Sequence, residues 1–161
     1  MSDMGNFYGT GPLMKRGISF VTQDSAAEMP ELGCRVLYKG EEYVWFHNVT
    51  ASTEIQPNKL VTNSLLSGYS LTVSTVSGGI ALAATKHVTI PSGGYGWGLV
   101  RGLNQMTCTS TLVSGVMIAV GDDGAVRTGV SGSFPTGMII GQTLSSATSN
   151  GEALCILRLM G

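Results

Sequence analysis

Residues 95–102 read YGWGLVRG and carry the sharpest local pattern in this 161-residue chain. Aromatic residues alternate with glycines, and successive side chains of a β-strand point to opposite faces. The segment therefore predicts a strand with aromatics on one face and glycines on the other. A glycine in such a strand marks a bend or the close approach of another backbone, so we expect tight packing here.

A second aromatic segment, EYVWFH at residues 42–47, is apolar on both of its faces. A strand of this kind is covered on both sides, by a second sheet, by the N-terminal segment or by a neighbouring subunit. Residues 35–38 predict the preceding strand. The Lys39-Gly40-Glu41 connection is typical of a tight turn, so the two segments predict a β-hairpin.

The remaining apolar segments are short and are separated by Gly, Asn and Asp at intervals of about ten residues, which is typical of an all-β protein. Further strands are predicted at residues 69–74, 80–83, 88–90, 116–120, 125–127, 138–141 and 153–159. Residues 48–63 are expected to form a long polar connection. The best helix candidate is a capping box at residues 25–28, which Pro30 prevents from extending far. We predict an all-β fold, as a small β-barrel or a two-sheet sandwich.

The first 32 residues differ from the rest because their glycines and apolar residues show no clean alternation. We predict an extended N-terminal arm at residues 1–32 and a single β-domain at residues 33–161. The arm is expected to lie across a neighbouring subunit or the surface of the assembly that the subunit joins. The candidate interface residues are apolar anchors of the arm and two strand tryptophans: Phe7, Tyr8, Leu13, Met14, Ile18, Phe20, Trp45 and Trp97.

The chain has few charges for its apolar content, with 12% charged and 43% hydrophobic residues and a mean hydropathy of +0.24. A net charge of −1 provides no basic field for nucleic acid. The apolar runs at residues 79–84 and 113–120 are too short for a membrane-spanning helix, and the N-terminus lacks a signal-peptide pattern. Apolar surface that does not enter lipid meets protein, so we expect a homo-oligomer, with a trimer favoured.

The sequence offers no constellation of reactive residues. His47 and His87 have no acid or cysteine at ligand spacing, and the three cysteines form no CxxC pair. The Asp122-Asp123-Gly124 segment lacks the spacing of a calcium-binding loop and is typical of a turn. We therefore expect no enzymatic activity and no cofactor, metal or small-molecule substrate.

Several segments resemble the bacteriophage capsid decoration proteins, which are also called cement or head-stabilising proteins. They are ELGCRV at residues 31–36, EYVWFHN at 42–48 and IPSGGYGWGLVRG at 90–102, together with residues 115–126 and 139–142. The resemblance implies a small β-rich subunit that binds the major capsid protein on the head lattice. It also implies a location at the capsid surface of the virion, after assembly in the cytoplasm of a bacterial host.

Two other viral functions stay open at this point. In a carbohydrate-directed receptor-binding or fibre module, Tyr43, Trp45, Tyr95 and Trp97 would line an exposed groove, although strand aromatics are more often core or interface residues. A tail-tube or head-completion protein would instead form rings. The symmetry of the assembly distinguishes these functions, since three-fold clusters are expected on capsids and six-fold rings in tails.

Overall fold

The computed structural model describes residues 18–23, 29–63, 68–75, 77–131, 134–135 and 137–159. Within these residues the chain forms thirteen β-strands and no α-helix, which confirms the all-β prediction. The strands are β1 Val21–Thr22, β2 Arg35–Tyr38, β3 Glu41–Asn48, β4 Leu60–Asn63, β5 Ser70–Val73, β6 Ala83–Ala84, β7 Tyr95–Thr107, β8 Met117–Val120, β9 Val126–Thr128, β10 Val130–Ser131, β11 Phe134–Pro135, β12 Ile139–Thr143 and β13 Glu152–Arg158.

Eleven of these described strands form one mixed sheet, and β10 pairs separately with β11. The strand order is β2-β3-β5-β4-β6-β7-β13-β12-β8-β9, with β1 added to β7. Because β3 also pairs directly with β7, the strands β3, β5, β4, β6 and β7 make a closed circuit of neighbours. The sheet thus combines two circuits of neighbours, the one just described and a second in which β13, β12, β8 and β9 lead back to the end of β7 through a bridge between Cys108 and Val126.

The β3–β7 pair separates two hydrophobic cores. The side chains that join the larger core are Tyr43, Trp45, Trp97 and Leu99. Those that join the smaller core are Val44, Phe46 and Val100. The prediction that residues 42–47 are covered on both sides is therefore confirmed, and both covers come from the same chain.

Gly98 lies where β7 passes the smaller core. A Cβ atom at this position would lie 2.8 Å from the Cβ of Ala83 and 3.0 Å from Cε1 of Phe46. Carbon atoms pack at about 3.5–4.0 Å, so Ala83 and Phe46 occupy the space that a side chain would need. This is the close approach that the alternation of aromatics and glycines predicts.

Several local predictions are confirmed. Strands β2 and β3 form an antiparallel hairpin across residues 39–40. Strands β8 and β9 pair across a short 3₁₀ turn at Asp122–Gly124. The strands predicted at residues 138–141 and 153–159 correspond to β12 and β13, which pair with each other.

The predicted polar connection at residues 48–63 is wrong in its second half, because Leu60–Asn63 forms β4. Leu60 packs in the larger core and Val61 in the smaller one. A strand buried on both faces loses the alternation that would identify it, which explains the miss. The strand predicted at residues 80–83 is reduced to β6, and that at 88–90 to an isolated bridge between Ile90 and Ile55. The helical turn predicted at residues 25–28 lies outside the described residues.

The described part of the predicted arm packs on its own domain. Strand β1 pairs with the start of β7, and the ring of Phe20 stacks on Trp45 with centroids 5.8 Å apart. Ile18 and Met29 also pack against the larger core. These residues therefore belong to the domain and not to a free arm, because burial of their side chains ties them to it. Residues 1–17 lie outside the described part of the chain.

Candidate interaction surface

The structure places the predicted interface residues in three situations. Trp45 and Trp97 are 0% and 2% exposed, with ring centroids 5.1 Å apart in an edge-to-face contact. Their assignment to an interface is corrected, since two buried indoles offer no surface to a partner. Ile18 and Phe20 are half-buried against the same core. The four remaining candidates, Phe7, Tyr8, Leu13 and Met14, lie outside the described residues.

The aromatic residues of β3 and β7 do not form the exposed groove that a carbohydrate-binding module would need. Tyr43 is buried with the two tryptophans, and its hydroxyl donates a hydrogen bond to Glu41 at 2.6 Å. Tyr95 stacks on His47 with centroids 4.4 Å apart. These aromatic side chains therefore stabilise the sheet from within.

A different surface is formed by the outer face of the β7–β13 pair. The two strands are antiparallel, from Arg101 opposite Arg158 to Thr107 opposite Glu152. The amide of Leu159 donates to the carbonyl of Val100 at 2.8 Å. Residues 101 and 158 are therefore a non-hydrogen-bonded pair, the kind in which Cα atoms lie ~4.5 Å apart and side chains are closest. By the alternation of the ladder, the outward pairs are Arg101/Arg158, Leu103/Ile156, Gln105/Leu154 and Thr107/Glu152.

An exposed row of side chains crosses this face. Leu103 and Ile156 lie opposite each other and are 42% and 47% exposed. The next strand continues the row with Gln142, and β8 ends it with Met117, which is 53% exposed. Grouped exposed apolar side chains mark surfaces that meet another molecule, whereas single ones need no explanation.

A cleft of about 600 Å³ lies at the arginine end of this face, lined by the β2–β3 turn and by β7, β12 and β13. Three cationic side chains line it: Lys39, Arg101 and Arg158. Elsewhere in the described part of the chain, Arg35, Lys59 and Lys86 pair with carboxylates, and Arg127 donates to backbone carbonyls. The described cations that have no carboxylate partner and no backbone acceptor are thus gathered at one cleft.

One wall of the cleft is held by the carboxylate of Glu41. It accepts hydrogen bonds from Nζ of Lys86 at 2.6 and 2.7 Å, from the Tyr43 hydroxyl at 2.6 Å and from the Leu103 amide at 3.0 Å. Burial raises the pKa of this carboxyl, but the hydrogen bonds outweigh burial and hold the pKa below its ordinary value of 4.5. Burial and the adjacent carboxylate raise the pKa of Tyr43 in turn. Glu41 pairs with Lys86, and Glu42, which lies opposite Arg101 in the β3–β7 ladder, pairs with Arg35. Among the described residues, therefore, neither arginine forms a salt bridge with a carboxylate.

Gly102 lies between two exposed residues of β7, Arg101 and Leu103, where the facing of the strand changes. Its φ angle is +146°, and a Cβ atom there would lie 2.8 Å from Cγ of Glu41. The β3–β7 register shifts nearby, between Glu42 and Tyr43. Before this irregularity the odd residues of β7 face the larger core, and beyond it the buried residues are Asn104 and Met106. Arg101 and Leu103 consequently point outward.

The sequence prediction missed this site because it ended the strand at residue 102, whereas β7 continues to Thr107. The signal present in the sequence is the alternation of Leu103, Gln105 and Thr107 with the buried Asn104 and Met106. That alternation identifies an outer face, but it does not reveal that β13 is the neighbour.

Other reactive side chains are dispersed. No group of three or more His, Cys, Asp or Glu residues gathers within the described ranges. In the same ranges no helix has both the length and the apolar content to cross a membrane. Cys34, Cys108 and Cys155 are not joined by disulfide bonds within the described residues, and burial raises the pKa of all three thiols.

Comparison with known proteins gives a likeness in structure and none in sequence. No protein-family model and no curated protein matches the sequence. Among solved structures, the chain is similar to the head fiber gp8.5 N base in bacteriophage phi29, with a TM-score of 0.53 and 14% sequence identity. The likeness covers 71% of this chain and 93% of that chain. At this identity it shows a common fold.

Proposed function

We propose that this chain is a structural component of a bacteriophage head, and specifically a decoration (cement) subunit that binds the major capsid protein and stabilises the lattice. The observation that supports the proposal most directly is the fold that it shares with the base of a phage head fibre. The segments that resemble decoration proteins point to the same part of the virion.

The surface of the described chain suits a subunit that is covered in an assembly. Leu103, Met117 and Ile156 are each more than 40% exposed on one sheet face, and the chain as a whole has only 12% charged residues. On this basis we also propose that the subunit is a homo-oligomer, with a trimer favoured, and that it acts by binding, without catalysis or a cofactor.

The same likeness favours a second function, the base of a head fibre. Both functions place the chain at the head surface, but a fibre base carries a projection, whereas a cement subunit contacts the lattice and its own copies. The burial of Trp45 and Trp97 removes the main support for a carbohydrate-directed module.

Gold labelling of virions tests the proposal. Virions of the phage that encodes the chain are treated with an antibody against the purified protein and a gold conjugate, then imaged by negative-stain electron microscopy. Gold spread over the head supports a head component, and a gene-deleted phage provides the control. Gold on the tail, or none on intact virions, contradicts both functions.

Heat stability separates the two functions. Heads from the gene-deleted phage are expected to release DNA at a lower temperature than wild-type heads if the chain is a cement subunit. Unchanged heat stability, together with the loss of projections from the head, would assign the chain to a fibre base.

A further inference from the structure

We infer that the cleft beside Arg101 and Arg158 binds a carboxylate-bearing segment of the partner protein. The identity of that partner as the major capsid protein rests on the proposed function, whereas the chemistry of the segment rests on the cleft itself. An occupant with an aspartate or glutamate beside an apolar residue matches the charges and the apolar row described above.

The two arginines are held in a position that is unfavourable for the isolated chain. They lie directly opposite each other in a non-hydrogen-bonded pair, and like charges in such a pair destabilise a sheet. Lys39 adds a third positive charge to the same cleft. A carboxylate placed between the guanidinium groups removes the repulsion, and it can accept paired hydrogen bonds from the fork of N–H donors.

The apolar part of the surface specifies what accompanies the carboxylate. Leu103 and Ile156 form the next outward pair of the ladder, and both line the cleft. An apolar side chain adjacent to the bound carboxylate covers this pair. The amide of Gln142, on the neighbouring strand, offers a polar contact at the edge of the same cleft.

The lining also distinguishes a protein segment from a nucleic acid or a sugar. None of the described residues that line the cleft is aromatic, so the cleft lacks the stacking platform on which bases are bound. Three cations at one point on a chain of net charge −1 do not make an extended basic stripe. A carboxylate beside an apolar side chain fits a compact group of cations that borders exposed Leu103 and Ile156.

The experiment adds purified protein back to heads of the gene-deleted phage and measures the bound fraction by sedimentation of the heads. The test variant is Arg101→Ala/Arg158→Ala. The matched control, Arg35→Ala/Lys59→Ala, removes the same charge from outside the cleft. We expect the test variant to raise Kd by roughly tenfold or more, and the control to bind like the wild type.

Two further measurements keep a folding defect from being mistaken for lost binding. Because removal of the arginine pair relieves repulsion, the test variant should melt at or above the wild-type temperature. The variant Arg101→Lys/Arg158→Lys keeps the charge but loses the planar fork, so its Kd should fall between those of the wild type and the alanine variant.

A titration of the purified protein with small ligands, followed by NMR, tests binding to the cleft in the absence of phage heads. The probes are the peptide acetyl-Leu-Glu-Leu-Glu-amide, its counterpart with glutamine in place of glutamate, and a ten-nucleotide oligothymidine. We expect shifts centred on Arg101, Leu103 and Arg158 with the glutamate peptide alone. If the oligonucleotide shifts these signals more strongly than the peptide, the cleft is an anion site for nucleic acid and the inference is wrong.

The two tests can fail separately. If the wild type binds heads and the alanine variant binds equally tightly, the cleft inference is overturned while the proposed function stands. If the wild type does not bind heads but the glutamate peptide shifts the NMR signals of the cleft, the proposed function is wrong, whereas the inferred chemistry of the cleft is supported. If the variant changes the oligomeric state in sedimentation velocity and leaves head binding intact, the occupant is a second copy of the chain, which also overturns the inference.

Discussion

Glu41 connects three parts of the sheet through one carboxylate. It binds the side chains of Lys86 and Tyr43 and the backbone of Leu103, and its methylene carbons fill the space left by Gly102. The adjacent Glu42 pairs instead with Arg35, at 2.8 Å. Neighbouring carboxylates thus take separate partners, because successive strand residues point to opposite faces.

The variant Glu41→Gln is expected to lower the free energy of unfolding at pH 7 by about 1–3 kcal/mol, because charged hydrogen bonds in a partly buried site are lost. The folded-state pKa lies below the ordinary 4.5, so the contribution of Glu41 is present above about pH 4.5 and is lost as the pH falls through the folded-state pKa. The difference between wild type and variant should therefore shrink from pH 7 to pH 3.

Urea unfolding across this pH range measures the difference. The control Glu54→Gln alters an exposed glutamate whose side chain accepts a hydrogen bond from Gln56. A difference for Glu41→Gln that stays constant with pH would show that its charge does not contribute to stability.

The thiols provide a second prediction. Burial raises the pKa of Cys155 to about 12 and also raises that of Cys108, so both remain protonated and shielded at pH 8. Iodoacetamide, which attacks the thiolate, should label them only after unfolding, while the half-buried Cys34 reacts first. Peptide mapping by mass spectrometry reads the order of labelling. Rapid labelling of Cys155 in the folded protein would contradict the structure, and Cys34→Ser checks that the early signal comes from Cys34.

At the scale of elements, the β3–β7 pair depends on a glycine at residue 98. Gly98→Ala should destabilise the protein by roughly 1–3 kcal/mol, as overpacked cores do, because its methyl group would collide with Ala83 and Phe46. Adding Ala83→Gly to this variant removes one of the two collisions. The double variant should be more stable than the sum of the two single stability changes predicts. Thermal unfolding of the wild type, the two single variants and the double variant measures this coupling.

The same elements explain how much of the fold could be predicted from the sequence. The hairpin of β2 and β3 was predictable because its turn is local, and the double burial of residues 42–47 because both faces are visibly apolar. Strand β4 was missed since Leu60 and Val61 face different cores and so show no alternation.

The candidate site was less predictable than the strands. The outward direction of Arg101 depends on a register shift beside Gly102, and its proximity to Arg158 depends on a pairing between distant parts of the chain. Local propensity and periodicity carry no information on either. The tryptophans were misassigned for a related reason. The sequence identifies them as large apolar side chains that need burial, but it does not show whether the chain's own core or a partner buries them.

At the scale of the whole molecule, the N-terminal segment separates into two parts with different expected effects. Removal of residues 1–23 takes away β1 and Phe20, which stacks on Trp45. This truncation should be about 1–3 kcal/mol less stable than one that removes only residues 1–17, as expected for exposing one large apolar side chain. Chemical denaturation compares the two proteins, and Phe20→Ala in the full chain isolates the ring contact. Equal stability of the two truncations would show that β1 does not belong to the domain.

The shorter truncation also tests the predicted role of the arm between subunits. If residues 1–17 bind a neighbour, their removal should weaken oligomerisation or head binding while leaving the fold intact. Sedimentation velocity and the head-binding assay measure the two effects. A truncated protein that matches the full chain in both would show that residues 1–17 do not contribute to assembly.

The position of β7 has a consequence for how the molecule unfolds. This strand pairs with β1, β3, β6 and β13 along its length, and it borders both cores, so neither half of the sheet can open without breaking contacts of the other. The halves should therefore behave as one cooperative unit with a single unfolding transition. In native-state hydrogen exchange, the amides of β7 should exchange only through global opening, while those of β2, which lies at one end of the strand order and pairs with β3, exchange earlier by local fraying. A domain built in this way would keep both cores closed under mechanical load until the load is large enough to unfold them together.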